Sequence, residues 1–268
     1  MLILGYISSF IMGTLLGLIG AGGSILTVPI LFYFFGQDAI FATTNSLFVV
    51  GIAALVGAAI QLKKRDTNIK VGMYFAGPSF LGIYIARYLL LPSLPDILIS
   101  SSTITLTKPL LIMIIFSIIM ASSSWAMIRS NNSFQTESLK LYSTPSNLFG
   151  IGLTGLIVGT ITGFVGAGGG FLIIPALVIL LKFSVRQAAA TSLAIIAGNS
   201  LFGFAISFRS EQTEYCPLLL IICALGIAGM FLGLKLSSRM NEKYLKSSFG
   251  YFTLLVASLI LWDQGGRL

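Results

Sequence analysis

Two stretches of this sequence carry glycine in a pattern that could bind an ion through the backbone. Gly163-Phe-Val-Gly-Ala-Gly-Gly-Gly-Phe-Leu-Ile-Ile-Pro175 places five glycines in the eight residues 163–170, inside an otherwise apolar run. Gly17-Leu-Ile-Gly-Ala-Gly-Gly-Ser-Ile-Leu-Thr-Val-Pro29 repeats the pattern. Glycine costs a helix interior about 1 kcal/mol against alanine, so each cluster ends one helix and starts another. The N-terminus of the second helix, from Ser24 or Gly170 onward, offers unpaired N–H groups and a partial positive charge, which suits an anion. Glycines there allow close approach, which makes Gly20, Gly22, Gly23 and Ser24, with Gly166, Gly168, Gly169 and Gly170, candidate substrate-binding residues. Ser24 is also placed to cap its helix; its aligned partner Gly170 is not, so the two half-sites differ.

A second constellation follows each cluster. Thr43-Thr44-Asn45-Ser46 is matched by Ala189-Ala190-Thr191-Ser192, with Asn199 two turns on. Their hydroxyls and amides can hydrogen-bond an anion's oxygens or coordinate a cation, or else join helices to one another. Asn45, Ser46, Thr191 and Ser192 complete the candidate set. By contrast Gly13-x-x-x-Gly17, Gly155-x-x-x-Gly159 and Gly229-x-x-x-Gly233 read as small-residue stripes for close helix packing.

The elements that must position these groups are membrane helices. The chain has 268 residues, 56% hydrophobic and only 9% charged, against about 25% charged in soluble domains. Its mean hydropathy is +0.98. Apolar segments run over 2–19, 24–35, 43–61, 71–91, 108–128, 148–165, 171–181, 189–207, 216–235 and 247–262. They are continuous rather than alternating, which predicts an all-α polytopic membrane protein and not a barrel. Segments 24–35 and 171–181 are too short for the ~30 Å hydrocarbon core. Roughly 8–10 transmembrane helices are therefore expected, with glycine-broken segments that cross fully or re-enter. Residues 1–20 lack a basic region and a cleavage site and read as the first membrane element. Cys216 and Cys223 lie seven apart in one segment and read as packing residues.

A shift of 146 residues aligns the halves without a gap from Gly13/Gly159 to Ile60/Ile206. Pro29/Pro175 and Ser46/Ser192 stay in register, which low complexity would not preserve. The expected division is a first membrane repeat at 1–128, a polar linker at 129–147 and a second repeat at 148–268. Loop 62–70 holds Lys63, Lys64, Arg65 and Lys70, while its counterpart 208–215 holds Arg209 with Glu211 and Glu214. The next loops reverse this bias, so the halves should be inverted in the membrane. With 62–70, 129–147, 182–187 and 235–246 in the cytoplasm, 12 of the 16 Lys+Arg lie there. Both termini then face outward. The net charge of +8 reports this topology and no nucleic acid.

These residues resemble the TauE/SafE family of bacterial membrane transporters. The resemblance rests on G-x-x-x-G-x-x-G-A-G-G-(G/S), an apolar run ending in Pro, then A-x-x-x-S-L, all repeated. It implies a secondary transporter of a small anion such as sulfite or an organosulfonate, an exporter in the bacterial inner membrane. An anion channel, or a non-catalytic membrane subunit of a larger complex, is the alternative. No enzyme chemistry is expected: there is no histidine, no phosphate-binding G-x-x-x-x-G-K-(S/T), and the eight acids all lie in loops or at segment ends. No cofactor or metal is expected. The expected partners are the small anionic substrate and the bilayer, with a homo-oligomer left open. Arg87, the one basic residue inside a span, is expected to snorkel to the outer interface rather than bind substrate.

Overall fold

The computed structural model describes all residues except 1, 21, 64–66, 68, 96, 101–104, 130–144, 167, 182, 209–214, 241 and 266–268. Lys64 and Glu211 of the charge argument, and most of the expected linker, fall outside the described residues.

The first repeat opens with α1 (Leu2–Ile19) and α2 (Gly22–Pro29), which a π-helical turn (Ile30–Phe34) extends. It continues with α3 (Ala39–Lys63) and α4 (Ile69–Tyr84), carried through a second π turn (Ile85–Leu90) into α5 (Leu91–Ser93). After α6 (Lys108–Arg129) the second repeat retraces the order: α7 (Pro145–Val165), α8 (Gly170–Pro175) with its π turn (Ala176–Leu180), α9 (Val185–Ser207), α10 (Cys216–Ser237) and α11 (Glu242–Gly265). Pro29 and Pro175 explain the paired π turns. Each lacks an N–H and crowds the carbonyl four residues back, so the ladder slips there. The next amides reach further back in both copies, Gln37 N–H to Leu31 O at 3.1 Å and Phe183 N–H to Leu177 O at 3.0 Å.

Five helices among the described residues are long and apolar enough to cross a membrane, and shorter apolar helices fill the bundle. The fold is thus an all-α polytopic membrane architecture. Among the described residues it departs from helix between the apolar segments 71–91 and 108–128, where strands β1 (Ile97–Ser100) and β2 (Thr105–Thr107) pair antiparallel, Ile99 opposite Leu106.

Packing follows the repeat. α1 packs on α10 as α7 packs on α4, α3 packs on α9, and α6 on α11. The small-residue stripes work as expected. A Cβ on Gly13 or Gly17 would strike the backbone of Gly226 or Met230, and one on Gly155, Gly159 or Gly163 the backbone of Phe75, Ser79 or Ile83. These paired contacts align α4 with α10 at a shift of 147, one more than elsewhere. Along α3 and α9, Leu47 meets Gly203, Gly51 meets Leu201 and Gly57 meets Leu193. α3 and α9 therefore run antiparallel to each other. α2 folds back along α1: Gly23 lies against Met12 and Leu16, and Phe34 and Phe35 return to Gly5. The first glycine stretch is the tip of this hairpin; at the second, Gly169 lies against Thr162 of α7 and α8 packs on α9 and α6.

Candidate functional site

Gly20 and Gly166 turn the two tips, with φ of 86° and 78°, a region L side chains avoid. Each ends its helix with its N–H donating a hydrogen bond four residues back, to Leu16 O and Thr162 O, both at 2.8 Å. Each carbonyl is then caught by the other repeat. Ser46 Oγ reaches Gly166 O at 2.5 Å and Thr43 O at 2.8 Å, and Ser192 Oγ reaches Gly20 O at 3.1 Å and Ala189 O at 2.9 Å, so each hydroxyl shares its one proton between the opposite tip and its own helix. Both serines are fully buried. The exchange is a pseudo-two-fold pair of bonds that pins each tip to the opposite repeat. It assigns Ser46 and Ser192 a positioning role. Replacing either with alanine strands a buried carbonyl, and we expect about 1 kcal/mol of lost stability apiece. Thermal unfolding in detergent reads this directly, and an unchanged midpoint in both variants would contradict it.

The tips do not meet. In the α3/α9 register Ser192 stands opposite residue 58, twelve residues along α3 from Ser46, which is about 18 Å at 1.5 Å per residue. Gly20, Gly22, Gly23 and Ser24 therefore sit at one level of the bundle, and Gly166 with Thr43 and Ser46 at the other. Ser24 is the third residue of α2, which starts at Gly22, and is fully buried. Gly168 (φ 65°) faces Ser200 and Val50, and Gly169 (φ 70°) packs on Thr162 and leads into Gly170 of α8. Gly23 packs on Leu16 in the same way, and Leu16 is the counterpart of Thr162.

Among the described residues, the second tip is the one that meets a charge. Arg87, expected to snorkel, turns inward from the π turn of α4. Its Nε donates to Gly163 O at 2.7 Å and its Nη1 to Thr44 Oγ1 at 2.9 Å. Thr44 Oγ1 in turn donates to Ile40 O. The remaining guanidinium nitrogen, Nη2, is buried without a partner and lies where a Cβ on Gly166 would reach it at 2.7 Å. A buried, charged donor with two free N–H groups is expensive unless an acceptor joins it. The arrangement can accept one oxygen of an anion, with the charge held by a fixed guanidinium. Its counterpart in α10 is Leu234, so the first tip has no such centre.

Other polar groups divide by repeat too. Asn45 Nδ2 donates to Gln37 Oε1 at 3.0 Å, and both side chains are buried with one unpartnered atom each. Their counterparts are Thr191 and Phe183. Asn199 Nδ2 donates to Ser79 Oγ at 2.7 Å, joining α9 to α4. Ser200 Oγ is buried and unpartnered beside Gly168. Sequence reasoning missed Gln37, Ser79 and Ser200 as partners. Only Arg87 carried a signal, a charge in an apolar segment whose counterpart is leucine.

Three relatives are similar to the chain over most of its length. The chain is 27% identical over 90% of its length to a "Probable membrane transporter protein" of Methanocaldococcus jannaschii, covering 88% of that protein. It is 26% identical over 97% of its length to one of Xylella fastidiosa, covering 95%, and 26% identical over 87% to one of Bacillus subtilis, covering 86%. No solved structure gives a significant match. Residues 6–260, which span both glycine tips and every helix pair described above, match the family described as "Sulfite exporter TauE/SafE"; the chain belongs to that family and is a membrane transporter, not an enzyme.

Proposed function

We propose that the chain is a secondary transporter that carries a small anion, sulfite or an organosulfonate, outward across the bacterial inner membrane. The observation that carries this reading is Arg87, whose guanidinium is drawn to the second glycine tip and keeps one nitrogen free for a ligand. The family's description as sulfite exporters supports the substrate class. Gly166 and Thr44 border the seat, and in this reading the first tip supplies its matched half of the scaffold.

Voltage can drive such export. An anion leaving a negative interior gains about 2.3 kcal/mol per charge per 100 mV, nearly 50-fold in concentration for a monoanion since 1.4 kcal/mol is tenfold. Side-chain proton coupling has little to work with: the sequence has no histidine, Asp38 is exposed at the start of α3, where it accepts from Ile40 N–H, and Asp263 accepts from the hydroxyl of exposed Tyr33. In proteoliposomes with a potassium–valinomycin potential and no pH or Na⁺ gradient, anion flux is expected to rise with the imposed voltage. Flux that ignores voltage yet follows a proton gradient, at fixed substrate protonation, would overturn the reading.

A further inference from the structure

A groove of about 420 Å³ runs between the end of α3 and the first halves of α4 and α9. Its walls are apolar, and Leu62, Ile69 and Met73 on its rim are exposed, so it opens sideways toward the bilayer. Small residues make the space. A Cβ on Gly77 would meet nothing within 4 Å, and one on Gly72 only Thr191 and Ile195 at 3.8 and 3.9 Å. Glycine is unfavourable inside a helix against alanine, and no close helix contact requires it at these two positions. At the inner end stands Phe80, whose ring a Cβ on Gly198 would meet at 3.2 Å and which stacks on Phe202.

The groove has the depth of one leaflet. From Ile69 to Phe80 it follows eleven residues of rise along α4, about 16 Å at 1.5 Å per residue and so about half of the ~30 Å hydrocarbon core. Its mouth is polar and basic. Thr67 lines it, and Thr67 Oγ1 is buried with no hydrogen-bond partner among the described residues. Lys63 ends α3 and Lys70 lies in the first turn of α4, both exposed. Lys64 and Arg65 stand between them in the sequence, with Asp66 the one acid. Clusters of Lys and Arg beside membrane helices attract anionic lipid headgroups, and a free hydroxyl adds a donor for a phosphate oxygen.

The repeat supplies an internal control. The positions equivalent to Gly72, Ala76 and Gly77 are Leu219, Cys223 and Ala224, and those equivalent to Ala194 and Gly198 are Phe48 and Ile52. Leu219, Ile222 and Cys223 close with Ile30, Leu31 and Val49 into a buried apolar cluster, against which Phe48 and Ile52 pack. The plugged counterpart belongs with loop 208–215, which carries Arg209 with Glu211 and Glu214. Empty apolar space and a cationic loop thus occur together in one repeat and are lost together in the other. We propose that the groove is a binding site for one anionic phospholipid, with an acyl chain between α4 and α9 and the phosphate held by Thr67, Lys63 and Lys70. The site needs nothing of Arg87 and is independent of which anion is carried.

Native mass spectrometry of the full chain, titrated in detergent with dioleoylphosphatidylglycerol or dioleoylphosphatidylcholine, tests it. One phosphatidylglycerol should bind at least fivefold more tightly than phosphatidylcholine. Gly72→Leu with Ala194→Phe, which copies Leu219 and Phe48 of the plugged counterpart, should weaken that binding at least tenfold. The combined loop variant Lys63→Ser, Lys64→Ser, Arg65→Ser and Lys70→Ser should erase the preference while phosphatidylcholine binding stays within twofold. Equal affinity of wild type for the two lipids overturns the proposal. So does an unchanged preference in the loop variant, which decides the matter even where the plugged chain does not fold. Full phosphatidylglycerol affinity in a folded plugged chain places the lipid elsewhere and is equally fatal. A wild-type dimer that the plugged variant dissociates would give the groove to a second copy. Displacement of the lipid by millimolar ethanesulfonate at constant ionic strength would give it to a transported anion, and either result also sinks the proposal.

Discussion

Replacing Arg87 with leucine is expected to abolish anion flux, by more than about 100-fold, while raising the thermal stability of the detergent-solubilised protein. Leucine is the residue the fold already holds at the equivalent position, Leu234, which is buried in α10. Exchanging a buried charge for a well-packed apolar side chain is often neutral or stabilising by about 1–4 kcal/mol. Transport should respond in the opposite sense, because Nη2 is the free cationic donor at the second tip. Truncating one partner of a buried, hydrogen-bonded charge pair costs about 2–5 kcal/mol, or roughly 30-fold to several thousand-fold in binding. Arg87→Lys should lose at least about tenfold. An ammonium is a point charge on a flexible stem and does not hold Gly163, Thr44 and a ligand at once as the planar fork does. Flux assays and thermal unfolding on the same preparations check the pair of outcomes. Arg87→Leu with flux within threefold of wild type would remove Arg87 from the site.

The inward turn of Arg87 also marks where sequence reasoning stops. The segment boundaries were legible because long apolar runs have to be helices in a membrane. The packing stripes were legible because Gly13, Gly17, Gly155 and Gly159 sit one turn apart. The internal match was legible from Gly13/Gly159 to Ile60/Ile206, which includes Ser46 and Ser192, but the extra residue before α10 was not. Direction was not. Arg87 lies near the end of an apolar run, which suggests the interface, but α4 continues through its π turn to Ser93. The second glycine tip folds in beside it from eighty residues away. The relative level of the two tips was hidden for a related reason. Alignment says that Gly20 and Gly166 are equivalent, and the antiparallel packing of α3 on α9 places equivalents at opposite ends. The β-hairpin was missed because a hydropathy reading ignores the alternating β-branched residues Ile97, Ile99, Thr105 and Thr107, which favour a strand.

Substituting the tip glycines should separate a conformational need from a spatial one. Gly36, Gly166 and Gly168 all have φ between 64° and 78°, so an alanine at each carries a similar backbone penalty of about 1–2 kcal/mol. Their surroundings differ. A Cβ at Gly36 meets nothing within 4 Å, so Gly36→Ala should cost only that strain and transport normally. A Cβ at Gly168 meets Ser200 Oγ at 2.7 Å and Val50 Cγ1 at 3.0 Å. The hydroxyl can rotate away, so Gly168→Ala should fold but lose at least about tenfold in flux as its methyl crowds the approach to Arg87. At Gly166 the new methyl strikes Thr43 Cβ, the Thr43 carbonyl and Arg87 Nη2 together. α3 cannot retreat from it without breaking the Ser46 bond to the Gly166 carbonyl. The added cost there is that of overpacking a dense interior, about 1–3 kcal/mol or more, together with loss of the anion seat. Gly166→Ala is therefore expected to give the lowest unfolding temperature of the three and no measurable flux. Gly20→Ala should match it in stability, since its Cβ meets Ala189 Cα, O and Cβ in the pseudo-equivalent place. It should nevertheless retain more flux, because no charge among the described residues faces that tip. Equal flux losses at Gly20 and Gly166 would mean that both tips bind the anion, and the asymmetry assigned to Arg87 would fall.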